Sequence, residues 1–282
     1  MIKYFWIVFF FLGVTSAQAQ DSLKIRRVMK VEQDILKIFE RIYDMSPSEE
    51  RDSLNNWILQ SLKDELSTWD GFYYQWDALD MIGRVSSGDN RIKAFTWYLQ
   101  VNQNEYKYYG LIAYSDKKFP LGDEVYQVIE LNDQSDNIQH PEQKYLSVNE
   151  WYGAVYYGIH TFTHRRNSWY ALIGFDFNDQ FSNKKIIEIL TLGKNDNIQF
   201  GGEIYFDEEQ EFRRIIFEYS SEVAMTVNYD ERLNMIVFDH LRPYQPFFEG
   251  NFRFYAPDGS YDGLQFKKGK FYREEDLDAR NY

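Results

Sequence analysis

From Gln75 onward the chain alternates side-chain character with a period of two, and no feature constrains its fold more. Ile92, Ala94, Thr96, Tyr98 and Gln100 fall on one side of an extended segment, with Lys93, Phe95, Trp97, Leu99 and Val101 on the other. That period belongs to strands. Similar stretches recur at 106–114, 125–131, 153–162, 169–177, 185–192, 202–206, 213–219, 224–229, 235–239, 252–255, 261–266 and 270–273. Asn, Asp, Gly and Ser cluster between them, as in hairpin turns. No amphipathic helix of the length a parallel crossover needs intervenes. The expected fold is therefore mainly β: an antiparallel meander of about a dozen strands. It could close as a barrel, form a propeller-like ring or remain a bent open sheet. The segment 184–192 is ambiguous, since Ile186, Ile187, Ile189 and Leu190 also fit one helix face, but its β-branched content and Gly193 favour a strand. No fixed-period repeat is visible, which weighs against a regular propeller.

The first part of the chain reads differently. Lys3 precedes an apolar run over 4–14, and Ala17-Gln18-Ala19 follows as a small-x-small cleavage site. The run is well short of the ~20 residues that cross a bilayer, so 1–19 is read as a cleavable signal peptide and not an anchor. No cysteine follows it to carry a lipid. The expected location is accordingly periplasmic or secreted, with no transmembrane segment after cleavage. Residues 20–71 then predict a helical hairpin. Leu23, Val28, Val31, Ile35, Ile38, Phe39 and Ile42 form one apolar stripe. Ser46-Pro47-Ser48-Glu49 reads as a capping box for a second helix, with Leu54, Ile58, Leu62 and Leu66 buried and Asp70-Gly71 as its stop. The β domain occupies 72–282.

Charge narrows the partners. The formal net charge is −13, and Lys3 is the sole charged residue of the leader, so its removal leaves −14. Without a basic stripe, binding to nucleic acid or to anionic membrane surfaces is not expected. The absence of cysteine excludes a disulfide framework and thiolate chemistry. Aromatic residues make up 19% of the chain, enough to pack strands and also to offer stacking platforms.

Motifs for chemistry are sparse. Asp258, Ser260 and Asp262, in Asp258-Gly259-Ser260-Tyr261-Asp262-Gly263, resemble the first half of a calcium loop, with oxygens at alternate positions and Gly at the sixth. The twelfth position is Gly269 and not a bidentate Glu, so Ca2+ is a weak expectation beside that of no cofactor. Two consecutive turns explain the same residues, the first at Ala256-Pro257-Asp258-Gly259. Asp176, Asn178 and Asp179 read as a solvated turn. His160 and His164 lie about 13 Å apart on a strand, too far for one metal ion. Asp239 and His240 are adjacent and point to opposite strand faces, so they form no dyad with each other. Nucleophile-elbow, dinucleotide and phosphate-loop signatures are absent.

Five stretches together resemble an uncharacterised family of exported proteins common in the Bacteroidota. They are Trp151-Tyr152-Gly153-Ala154-Val155-Tyr156-Tyr157, Trp169-Tyr170-Ala171-Leu172-Ile173-Gly174-Phe175-Asp176, Phe217-Glu218-Tyr219-Ser220, Ile236-Val237-Phe238-Asp239-His240-Leu241-Arg242-Pro243, and the run from Phe254 to Gly263. The resemblance covers about residues 75 to 280. It implies an envelope or secreted protein of a diderm bacterium and brings no activity with it. The function expected from the residues is a non-catalytic binding or envelope-associated module presenting Tyr and Trp to a glycan or an envelope protein. The rival is a carboxylate-dependent hydrolase of polysaccharide or peptidoglycan, with Trp151 and Trp169 shaping an aromatic cleft.

Overall fold

The computed structural model describes residues 3–116, 125–193, 197–206 and 210–278. It divides into two compact units, Met1–Asp80 with Lys117–Val128, and Met81–Asp116 with Ile129–Tyr282. Among the described residues no helix is long and apolar enough to cross a membrane.

The first unit is built on helices α1 (Lys3–Ile42), α2 (Glu49–Leu66) and α3 (Trp69–Tyr73). The short link between α1 and α2 reverses the chain, and ion pairs join opposite ends of the two helices: Arg27 to Glu65 at 2.8 Å, and Arg41 to Glu50. The buried stripe is narrower than the sequence suggests. Val28, Ile35, Phe39 and Ile42 are buried, whereas Leu23 is exposed. An acid joins the stripe. Glu32 accepts hydrogen bonds from the Tyr74 hydroxyl at 2.7 Å and from the Ala78 N–H at 2.9 Å, so its burial is compensated. Burial, together with this carboxylate, pushes the Tyr74 phenol up to about 12.

The cap of α2 is Ser48, not Ser46. Its hydroxyl accepts the Arg51 N–H, and Pro47 stays outside the helix. The shift places Glu49, Glu50 and Asp52 in the first turn, where the helix dipole favours acids. At the other end α2 stops at Leu66, and Thr68 caps the additional short helix α3. Gly71 marks the packing of α3 on the end of α2: a Cβ there would lie 2.1 Å from the Glu65 carbonyl oxygen.

The second unit is mainly β, and its strands fall in three sheets, the first of which ends in a strand whose residues up to Val128 belong to the first unit. The first runs in the order β1 (Gly83–Ser86), β2 (Ile92–Asn102), β3 (Glu105–Asp116) and β4 (Val125–Asn132). The second contains β5 (Leu146–Ser147), β6 (Val155–His164), β7 (Asn167–Asp176), β8 (Ser182–Leu192) and β9 (Ile198–Phe200), in the order β5-β9-β8-β7-β6. The third contains β10 (Ile204–Tyr205), β11 (Glu211–Phe212), β13 (Val227–Asp230), β14 (Met235–Pro243), β15 (Tyr255–Lys267) and β16 (Lys270–Glu274), in the order β11-β10-β16-β15-β14-β13. Strand β12 (Arg214–Ser220) pairs with β8 from outside the path of the second sheet. Among the described residues most strand pairings are antiparallel, whereas β10 with β16 and the isolated bridge between Asp133 and Trp151 are parallel. Among the described residues the expected antiparallel strands are thus divided among three sheets, each with an open strand order.

Two apolar cores lie against the second sheet. Tyr170, Leu172, Ile186 and Leu190 enter one, together with Ile92, Ala94 and Ile112 of the first sheet. Ala171, Ile173, Ile187 and Ile189 enter the other, together with Ile236, Phe238, Leu264 and Phe271 of the third. The second sheet is therefore the middle layer, buried on both faces. That explains why 186–190 reads as a nearly continuous apolar run with no clean alternation. An ion pair interrupts it. Arg214 and Glu188 are register partners with no side-chain exposure, bonded at 2.6 Å, and Arg214 also donates to the carbonyls of Pro141 and Lys144. Burial pushes the Glu188 carboxyl up, and Arg214 pulls against it.

Candidate binding site

The site begins with an irregularity between β14 and β15. Phe238 pairs with Asp262 and Asp239 with Tyr261, but the next pair is Leu241 with Pro257. Residues 258–260 thus face His240 alone, a bulge in one strand. Pro257 and Gly259 were expected to end a strand. Instead β15 runs through them, because eight of its residues pair with β14. Gly259 takes the bulge at φ +91, and the Asp258 carboxylate accepts from the Ser260 N–H and hydroxyl at 2.9 and 2.7 Å. The other oxygen of Asp258 meets Arg242 at 2.9 Å.

His240 is brought to Asp262, not to its sequence neighbour Asp239. His240 Nδ1 is 2.8 Å from Asp262 Oδ2, and Arg273 Nη2 of β16 reaches the same oxygen at 2.7 Å. Asp262 Oδ1 accepts the Asp276 N–H at 3.2 Å. The Asp262 side chain is only 2% exposed. Burial alone would raise its pKa, but the bonds from His240 and Arg273 outweigh that and hold the carboxyl below its usual range. An ionised Asp262 can only accept, so His240 Nδ1 carries the proton. In neutral His240 the lone pair is then on Nε2.

The three residues of this cluster line a recess of about 200 Å³. Phe206, Phe217, Phe238, Phe252 and Tyr255 supply its aromatic lining. Phe217 and Phe238 lie 4.7 Å apart between centroids, and Phe252 and Tyr255 5.0 Å. The Arg273 guanidinium stands 4.9 Å over the Phe206 ring. Glu218 and Asp239 also line the recess. Glu218 accepts from the Ser182 hydroxyl at 2.8 Å, and Asp239 from the Thr226 N–H at 2.6 Å. A second recess of about 180 Å³ includes Tyr106, Asp133 and Asp136, but Asp133 is spent on Ser135 and the Tyr108 N–H.

The residues singled out in the sequence lie elsewhere or have other partners. Trp151 is fully buried in the core shared with the first sheet and donates its Nε1–H to the Tyr156 hydroxyl at 2.8 Å. Trp169 packs at the other core against Phe266, 5.3 Å away, and against Gly269. The two indoles serve separate cores and share no cleft. Asp258 and Asp262 carry Arg242 and Arg273 where a calcium ion would need their oxygens. Among the described residues no group of three or more His, Cys, Asp or Glu is placed so that it could hold a metal ion. His160 stacks on Tyr229, and burial lowers its pKa. No family model, curated protein or solved structure matches the chain, so the reading of the site rests on its own geometry.

Proposed function

We propose that this chain is an exported, non-catalytic binding module and that the recess beside His240 is its ligand site. The observation that carries the reading is the combination of five aromatic residues with the hydrogen-bonded cluster of His240, Asp262 and Arg273 in a single concavity. Ligand sites are typically apolar hollows with a few convergent polar groups. The leader pattern at 1–19 supports export. A hydrolytic reading also has support, since three acidic residues line the same recess. A glycosidase-type general acid, however, must hold its proton near neutrality. Asp262, bonded to both His240 and Arg273, is displaced in the opposite direction and does not fit that role, which favours the binding reading.

The test is a ligand-observed NMR screen of small aromatic, cyclic and sugar fragments against wild type and Phe252→Ala. Phe252 is 45% exposed, so its truncation leaves the fold in place. Fragments that bind wild type and lose at least three-quarters of their saturation transfer in the variant support the reading. A screen without hits, or hits indifferent to the substitution, rejects it.

A further inference from the structure

We infer that the recess selects a ligand bearing a primary ammonium group on a small apolar body. The inference rests on the reading of the recess as a ligand site and adds the chemistry of what enters it. The aromatic lining is the first support. Ring faces attract cations, and Phe206 already holds the guanidinium of Arg273 over its face.

The charge balance is the second. Glu218, Asp239 and Asp262 line the recess, against the single guanidinium of Arg273. Arg273 is itself committed twice, to Asp262 at 2.7 Å and to Glu275 at 3.1 Å. Glu218 and Asp239 accept from neutral donors and have no cationic partner among the described residues. An entering cation would thus meet a lining that is acidic on balance, even with Lys184 opposite Glu218 in the strand register, within a chain of net charge −13. An entering anion would meet the same charges and an Arg273 whose two terminal nitrogens already hold Asp262 and Glu275, with only its buried Nε left without a partner among the described residues.

The third support is the direction of the hydrogen bond on offer. Because Nδ1 of His240 donates to Asp262, neutral His240 presents an acceptor at Nε2, and the residue lines the recess. The ligand must supply the donor. A hydroxyl satisfies that atom but gains nothing from the rings or the carboxylates. An ammonium N–H satisfies all three.

Three probes with one body and different charge test this: benzylammonium, benzyl alcohol and benzoate, titrated calorimetrically into the full chain at pH 7.5. The expected order is benzylammonium at least tenfold tighter than benzyl alcohol, with benzoate weakest. Raising the salt should compress the gap. Glu218→Gln should cut the ammonium affinity about threefold and leave the alcohol unchanged, and Phe252→Ala should weaken both. Equal affinities for amine and alcohol, or benzoate binding best, would overturn the ammonium inference while leaving the recess a ligand site. No binding of any probe, combined with an empty fragment screen, removes the site itself.

Discussion

At the scale of single residues, the arrangement depends on Asp262 being ionised inside the protein. Its carboxylate gathers His240, Arg273 and the Asp276 N–H, and those bonds hold its pKa below the unfolded value of about 3.9. A carboxyl shifted down contributes stability that is fully present above the unfolded pKa. That contribution is lost as pH falls toward the folded pKa. Asp262→Asn should therefore cost about 2 kcal/mol in urea unfolding at pH 7, the scale of hydrogen bonds to a charged group. The difference from wild type should close as the pH is lowered below about 4. A gap that stays constant between pH 7 and pH 3 would show that Asp262 is not the charged hub described above.

His240 and Asp262 were each visible in the sequence, but their partnership was not. Adjacent strand residues point apart, which correctly separates His240 from Asp239. Register, however, decides what lies opposite, and a bulge at 258–260 cannot be read from one strand. Arg273 and Phe206 are remoter still, brought in by β16 and by the bend after β10. The half-loop at Asp258 and Asp262 was legible as a pattern of oxygens, whereas the guanidiniums that engage them come from other parts of the chain.

At the scale of elements, the two-residue period located the strands because burial of alternate side chains is what makes a strand persist in water. It failed where that cause is overridden. In β15, pairing with β14 carries the strand through Pro257 and Gly259, residues that in isolation favour a turn. In β8 both faces are buried, and alternation vanishes. The latter leads to a measurable contrast. Ile186 and Ile187 are neighbours on opposite faces and both are buried. Ile186→Ala and Ile187→Ala should each cost about 2–5 kcal/mol in chemical denaturation. In a sheet with one solvated face, one of the two would fall within about 0.5 kcal/mol of wild type.

At the scale of the whole molecule, the proposed ligand recess is lined mainly by residues of the third sheet and of β12, and the middle layer packs against the third sheet through their shared core. The composition announced aromatic packing and an acidic surface. It did not announce that five of those rings line one recess, because residues from Phe206 to Tyr255 meet there only through the layering. The central claim is that Asp262 orients His240 so that Nε2 faces a ligand as an acceptor. The chain has four histidines, so the ring nitrogens of His240 can be assigned by long-range 1H–15N correlation against a His240→Gln control. The account predicts that neutral His240 is protonated at Nδ1, and that its Nε2 resonance moves on addition of benzylammonium. A proton on Nε2, or a resonance unmoved by the amine at saturating concentration, would contradict it.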